Sequence, residues 1–165
     1  MESGILVVVG IAVLIGAAFL WQKLTSAATK GITRAVARKT HARGQDAVHR
    51  ELEFTVPGTA QTFLQLIAQR LEVVPNPPAI NHDLYLLSQS DDLLVYAVGS
   101  KVFTALRYAI SIDNQGDHAT GSATVLDWTE SDGLVTHIDK IERLERHVTA
   151  AVETMGGQIT SHLRS

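Results

Sequence analysis

The 165-residue chain has no cysteine, which excludes a disulfide scaffold and a thiol enzyme. Only 4 prolines occur. Pro75, Pro77 and Pro78 sit together, so Val74 to Asn81 is expected to be an extended connector. No charged side chain falls between Ser3 and Gln22, which excludes a wholly soluble protein. No glycine-rich phosphate loop, Gly-x-Ser-x-Gly elbow or dinucleotide fingerprint follows an expected strand, and this disfavours the ordinary nucleotide enzymes. Against these absences, 45% of the residues are hydrophobic, enough to build a core and to exclude a disordered chain.

Lys and Arg number 14 against 17 Asp and Glu, a net of −3 that hides three unlike segments. Glu2 is the one charge up to Gln22. From Lys23 to Arg50, 7 basic residues face Asp46 alone, and from Glu51 onward 15 acidic residues face 7 basic ones, a net of −8. A nucleic-acid binder with a basic globular domain is thereby excluded, and no nucleic-acid partner is expected.

Ile5 to Trp21 with its uncharged flanks makes about 20 residues, roughly 30 Å as a helix and enough to span a bilayer. A lone segment in hydrocarbon must satisfy its own backbone hydrogen bonds, so helix is the expected conformation, with Trp21 at the interface. Ser26-Ala27-Ala28 offers the small residues of a cleavage site, so a removed signal peptide is the competing reading. A secretory signal carries positive charge before its apolar stretch, whereas the charged residue here is Glu2. Lys23, Lys30, Arg34, Arg38, Lys39 and Arg43 all follow the stretch, which predicts a single-pass protein of the cell membrane, N-terminus outside and domain cytoplasmic.

Residues 1–22 are thus read as a transmembrane anchor, 23–46 as a basic juxtamembrane connector, 47–157 as a folded α+β domain and 158–165 as a loose tail. In the connector, Leu24, Ala28, Ile32, Ala35 and Val36 share one side of a helical wheel. Lys23, Lys30, Arg34 and Arg38, with Lys39, form a membrane-surface set that either attracts anionic lipid headgroups or only fixes topology. The pattern fades after Thr40, and a flexible hinge is expected near Gly44.

Val48 to Val56 alternates, with Leu52, Phe54 and Val56 on one face and Glu51, Glu53 and Thr55 on the other, the period of a half-buried strand. Thr59 then caps a helix carrying Phe63, Leu64, Ile67, Ala68 and Leu71. Four strands follow, joined by short turns and therefore antiparallel: Leu84 to Leu87, Leu93 to Val98, Val102 to Ile112, and a return strand to Trp128. Thr136 with Asp139 forms a capping box for a long last helix whose apolar stripe is Ile138, Ile141, Leu144, Val148, Ala151, Val152 and Met155. Asp139 with Arg143 and Glu142 with Arg146 read as solvated pairs along it.

The 7 histidines show no close paired spacing, which disfavours a metal site. Asp117-His118 is explained by turn chemistry without a reaction. No catalytic residue and no cofactor are assigned, so a non-enzymatic role is expected.

The order of elements, with the run Leu52-Glu53-Phe54-Thr55-Val56-Pro57-Gly58-Thr59-Ala60-Gln61-Thr62-Phe63 and a Trp-ended strand leading to a long amphipathic helix, resembles the helix-grip fold of the START-like superfamily, which includes the polyketide cyclase and dehydrase-like proteins. The resemblance covers Ala47 to Gly157. It implies an antiparallel sheet gripping the last helix, with an apolar ligand between them. Two departures stand out: about five strands where the family has six or seven, and a proline-rich connector in place of a second helix. The wall of such a cavity would be Phe63, Leu106, Tyr108, Ile110, Val125, Ile141 and Leu144, or these same residues pack together as core. The first case makes the domain a binder of an apolar small molecule or lipid. The second makes it an interaction module docking a protein partner, its negative charge favouring a basic surface.

Overall fold

In the computed structural model, residues 39–74, 76–80 and 83–164 are described. Ile5 to Trp21 and the basic residues Lys23, Lys30, Arg34 and Arg38 lie outside them, and Lys39 is exposed. Among the described residues no helix is long and apolar enough to cross a membrane. The fold below is that of the compact unit His41–Ser165.

A helix described over residues 39–49 (α1) leads into strand β1, Arg50–Pro57. Helix α2, Ala60–Arg70, is followed by strands β2, Asp83–Gln89, β3, Leu93–Gly99, β4, Thr104–Gln115, and β5, His118–Trp128. A small hairpin of β6, Glu130–Ser131, and β7, Leu134–Val135, precedes helix α3, Ile138–Thr154, and strand β8, Gln158–Leu163. The result is an α+β fold with a six-stranded antiparallel sheet in the order β2-β3-β4-β5-β1-β8.

The hairpins are local consequences of their turns. Gly116 takes a φ of 73° between Gln115 and its partner His118, a conformation that glycine adopts at no steric cost. The same hairpin supports α2: the Asn114 side chain accepts the Ala60 N–H at 2.7 Å, while Thr59 accepts from the Thr62 N–H. Phe63, Leu64 and Ile67 of α2 meet Ile141, Leu144, Val148, Ala151 and Val152 of α3 in one core with Leu52, Phe54 and Val56 of β1 and Leu106, Tyr108, Ile110 and Ile112 of β4. Each large side chain taken fully out of water there contributes about 1.5–3 kcal/mol.

Several expectations are corrected. The sheet has six strands rather than about five, because the expected tail is β8: Gln158 to Leu163 pairs antiparallel with β1 from Thr55↔Gln158 to Arg50↔Leu163. Gly156 at φ 72° reverses the chain after α3, and Arg164 secures the far end, its guanidinium donating to the Val125 carbonyl at 2.8 Å.

The hinge expected near Gly44 is helix instead. Gly44, Ala47 and Val48 are buried at the i, i+3, i+4 spacing of one helical face. A Cβ on Gly44 would stand 3.0 Å from Val135 Cβ, so the missing side chain lets α1 approach β7. Val48 is accordingly buried from a helix, and β1 begins at Arg50. Val102 belongs to no strand and is 90% exposed.

The expected capping box fails at α3. The N-cap is His137, in the left-handed region at φ 60°, without a side-chain cap bond. Thr136 is occupied elsewhere, its hydroxyl donating to the Thr129 carbonyl at 3.1 Å. The two expected pairs along α3 also give way to partners on other elements: Arg43 of α1 grips Glu142 with three hydrogen bonds, and Arg143 donates to the Glu72 carbonyl.

Candidate functional site on the open face of the sheet

The residues expected to wall a cavity form solid core. Phe63, Ile110, Val125 and Ile141 have 0% exposure, and Leu106, Tyr108 and Leu144 have 1%. None of them lines the cleft on the open sheet face or those beside α3, the β3–β4 connection and Glu72. The Phe54 and Phe63 rings pack at 4.8 Å between centroids. The small residues of β5, which leave space beside Gly121, are met by the Phe54 ring, since a Cβ on Gly121 would lie 2.8 Å from Phe54 Cζ.

Tyr108 brings a hydroxyl into this core. The Tyr108 hydroxyl is buried without a hydrogen-bond partner; burial drives its pKa far above the ordinary phenol value, helped by nearby Glu145 and opposed by Arg50. The Glu145 carboxylate, 11% exposed, takes a hydrogen bond from Arg50 at 2.9 Å. Burial raises its pKa above the ordinary 4.5, while Arg50 pulls it back.

A raised carboxyl pKa means that Glu145 supports the fold when protonated and loses that support as pH rises through the raised value. Glu145→Gln keeps the shape without the ionisation. The thermal midpoint of the variant minus that of the native chain is therefore expected to grow from about pH 4 to about pH 7. A difference that stays flat or shrinks over that range refutes the burial argument.

The helix-free face of the sheet carries the chemistry. Period-2 alternation turns Glu51, Glu53 and Thr55 of β1 away from the core, with Ser111 and Asp113 of β4, Thr120 and Ser122 of β5, and Gln158 and Thr160 of β8 beside them. Register makes them neighbours: Glu53 stands opposite Ser122 on one side and Thr160 on the other, Thr55 opposite Thr120 and Gln158, and Asp113 opposite Thr120. They line a shallow cleft of about 550 Å³, with Phe54 and Gly121 at its floor.

Among the described residues, three carboxylates and a row of hydroxyls line this cleft, and no basic side chain does. His162 stands at its edge, 3.8 Å from Glu51 and 3.9 Å from Glu53. Arg107 of β4 is already paired with Asp127 of β5. The surface accepts hydrogen bonds and attracts cations. Asp117 and His118 are hydrogen-bonded at 3.0 Å in an exposed turn, where the contact holds the Asp117 carboxyl below the usual carboxylate range. Among the described residues no group of three His, Asp or Glu side chains is placed to hold a metal ion.

The polar face of β1 was legible from alternation alone. The cleft was not, because register across β1, β4, β5 and β8 gathers its lining.

No known protein family and no curated protein matches the sequence. Among solved structures, the chain is similar to an uncharacterised protein from Bacillus thuringiensis, with 14% identity and a TM-score of 0.35 over 63% of this chain and 95% of that one. It is also similar to a protein from Rhizobium loti, with 12% identity and a TM-score of 0.29 over 64% of this chain and 94% of that one. Likeness at this level carries no argument about function.

Proposed function

We propose that the chain is a single-pass, membrane-tethered interaction module with a START-like domain and a filled core. Its open sheet face docks a basic segment of a protein partner on the cytoplasmic side of the cell membrane. The observation that supports this reading is the packing of Phe63, Leu106, Tyr108, Ile110, Val125, Ile141 and Leu144 at 0–1% exposure. The polar cleft lined by Glu51, Glu53 and Asp113 then offers the main recognition chemistry.

Support for the helix-grip element is architectural: β1, α2, a four-strand meander and α3 follow the family's order, and β8 beside β1 is an addition to it. Support for the tether is the uncharged stretch from Ser3 to Gln22 and the basic run after it. Tethering raises the local concentration of the domain at the membrane and adds no new contact.

The test uses the full chain in detergent with fluorescent Lys/Arg-rich and Asp/Glu-rich peptides of equal length. The basic peptide is expected to bind, more weakly as salt rises. The triple substitution Glu51→Gln, Glu53→Gln, Asp113→Asn is expected to weaken it by roughly tenfold, since exposed pairs contribute at most about 1 kcal/mol each. Equal binding of the two peptides defeats the proposal. A lipid co-purifying at near one per chain, seen by native mass spectrometry, favours the apolar-ligand alternative.

A further inference from the structure

The two edges of the six-stranded sheet are unlike. At the β2 edge the preceding connector lies alongside: Val74 bridges to Tyr85, and its N–H donates to the Leu84 carbonyl at 3.1 Å. A register shift between Leu86 and Ser88 also interrupts β2. At the other edge, among the described residues, β8 pairs with β1 and has no strand beyond it. Its sequence, Gln158-Ile159-Thr160-Ser161-His162-Leu163, contains no proline, lysine, arginine or acidic residue, and its register against β1 is unbroken. Charges, prolines and irregularities are the devices that ordinarily close a sheet edge to a further strand.

The direction of the free hydrogen-bonding groups follows from the ladder. The Arg164 N–H donates to the His49 carbonyl at 2.8 Å, one step beyond Arg50↔Leu163. Bonded pairs in an antiparallel ladder recur at every second residue, so Gln158, Thr160 and His162 turn their backbone groups to β1. Ile159, Ser161 and Leu163 turn theirs to the open edge, a row of donors and acceptors ready for another strand.

The two faces beside this edge specify what such a strand carries. On the open face, Gln158 and Thr160 border the acidic cleft, and Glu53 and Glu51 of β1 lie behind, opposite Thr160 and His162. An added strand stands two strand spacings from β1, roughly 10 Å, which a long basic side chain spans together with the glutamate it meets. On the helix side, Ser161 borders a second cleft of about 630 Å³ lined from β1, β8 and α3, with Leu52 and Ala150 in its wall and Arg50 and Arg146 among its glutamates. Basic side chains therefore suit the open face, where the charged lining residues are all acidic, and apolar ones suit the helix side.

We infer that β8 is a docking edge that takes an extended segment of a protein partner as a further strand of the sheet, with Lys or Arg at alternate positions over Glu51 and Glu53 and apolar residues between them. This inference rests on the proposal above that the open face receives a basic segment. It goes further in fixing the conformation of that segment, its alternation and the backbone groups that hold it.

The experiment uses the full chain in detergent and the fluorescent peptide Lys-Val-Lys-Val-Lys-Val-Lys. A second peptide has its three central backbone nitrogens methylated, which blocks both of its edges and leaves its charge unchanged. The parent peptide is expected to bind, and the methylated one to bind about tenfold more weakly or worse, because several strand-to-strand hydrogen bonds are lost together. Ser161→Pro is the matching change in the protein. Proline is tolerated at an edge position whose N–H faces solvent, so circular dichroism is expected to show an unchanged fold. The ring removes the central donor of the edge, and parent-peptide binding is expected to fall about tenfold, whereas Ser161→Ala keeps it.

A methylated peptide that binds as tightly as the parent overturns the added strand. The triple substitution Glu51→Gln, Glu53→Gln, Asp113→Asn then reports on the open face: weakening of both peptides keeps it as the dock for a basic segment. A parent peptide that fails to bind defeats that reading and the added strand with it. Should Ser161→Pro unfold the chain, the methylated peptide alone decides. A native chain of twice the expected particle mass that becomes single in Ser161→Pro assigns the edge to a second copy of the chain and overturns the proposal.

Discussion

Gly121→Val is expected to prevent the domain from folding, and Gly121→Ala to lower its thermal midpoint by about 10 °C or more. Gly121 lies mid-strand in β5, where a side chain has no easy exit. A Cβ there would stand 2.3 Å from the Ser111 carbonyl oxygen of β4, and 2.8 and 2.9 Å from Cζ and Cε2 of Phe54. Two of the obstacles are ring atoms, but the nearest is backbone in the partner strand. Relief therefore demands parting β4 from β5 near the centre of the six-stranded sheet. Forcing even one methyl group into a packed core costs about 1–3 kcal/mol, and a backbone clash belongs at the upper end or beyond.

The double variant Gly121→Ala, Phe54→Leu sharpens this. Trimming the ring removes two of the three close contacts and leaves the carbonyl, so the double variant is expected to remain less stable than Phe54→Leu alone by nearly the full cost of Gly121→Ala. Thermal unfolding followed by circular dichroism reads all three chains. Recovery of the midpoint in the double variant would mean that the ring alone excludes the side chain. An unchanged midpoint in Gly121→Ala would remove the argument altogether.

The position illustrates what could be read from the chain and what could not. A mid-strand glycine such as Gly121 does not by itself name the neighbour that approaches it. Phe54, five elements earlier, is that neighbour, and register brings it opposite Gly121. Elements whose signal is local were legible: α2 follows from Thr59 and the spacing of Phe63, Leu64 and Ile67, and the meander from its short turns. Elements held by distant partners were not. β8 buries little, its residues being exposed except Ile159, so no hydrophobic period announces it; the free edge of β1 and the reversal at Gly156 make it a strand. Gly44 reads locally as a hinge and is in fact the point where α1 meets Val135. Thr136 offered an N-cap hydroxyl that Thr129 had already engaged.

The same reasoning decides how the core responds to truncation. Phe63→Ala is expected to cost about 3–5 kcal/mol, a large share of the 5–15 kcal/mol by which domains are ordinarily stable. Phe63 has 0% exposure on α2 and packs its ring against Phe54, while Leu144 and Ile141 of α3 belong to the same cluster. Its removal leaves neighbours that β1 and α3 hold in place, so the void collapses only in part. A residue lining a roomy ligand pocket behaves differently, because truncation there enlarges a space that already exists and forfeits fewer contacts. The native chain is accordingly expected to ignore small apolar molecules and fatty acids in thermal unfolding. Phe63→Ala, with a dry apolar hole, is expected to bind a benzene-sized molecule and to recover part of its lost midpoint. A native chain whose midpoint rises with fatty acid, paired with a mild Phe63→Ala, would place a ligand where the packing puts side chains and would return the domain to the apolar-binder reading.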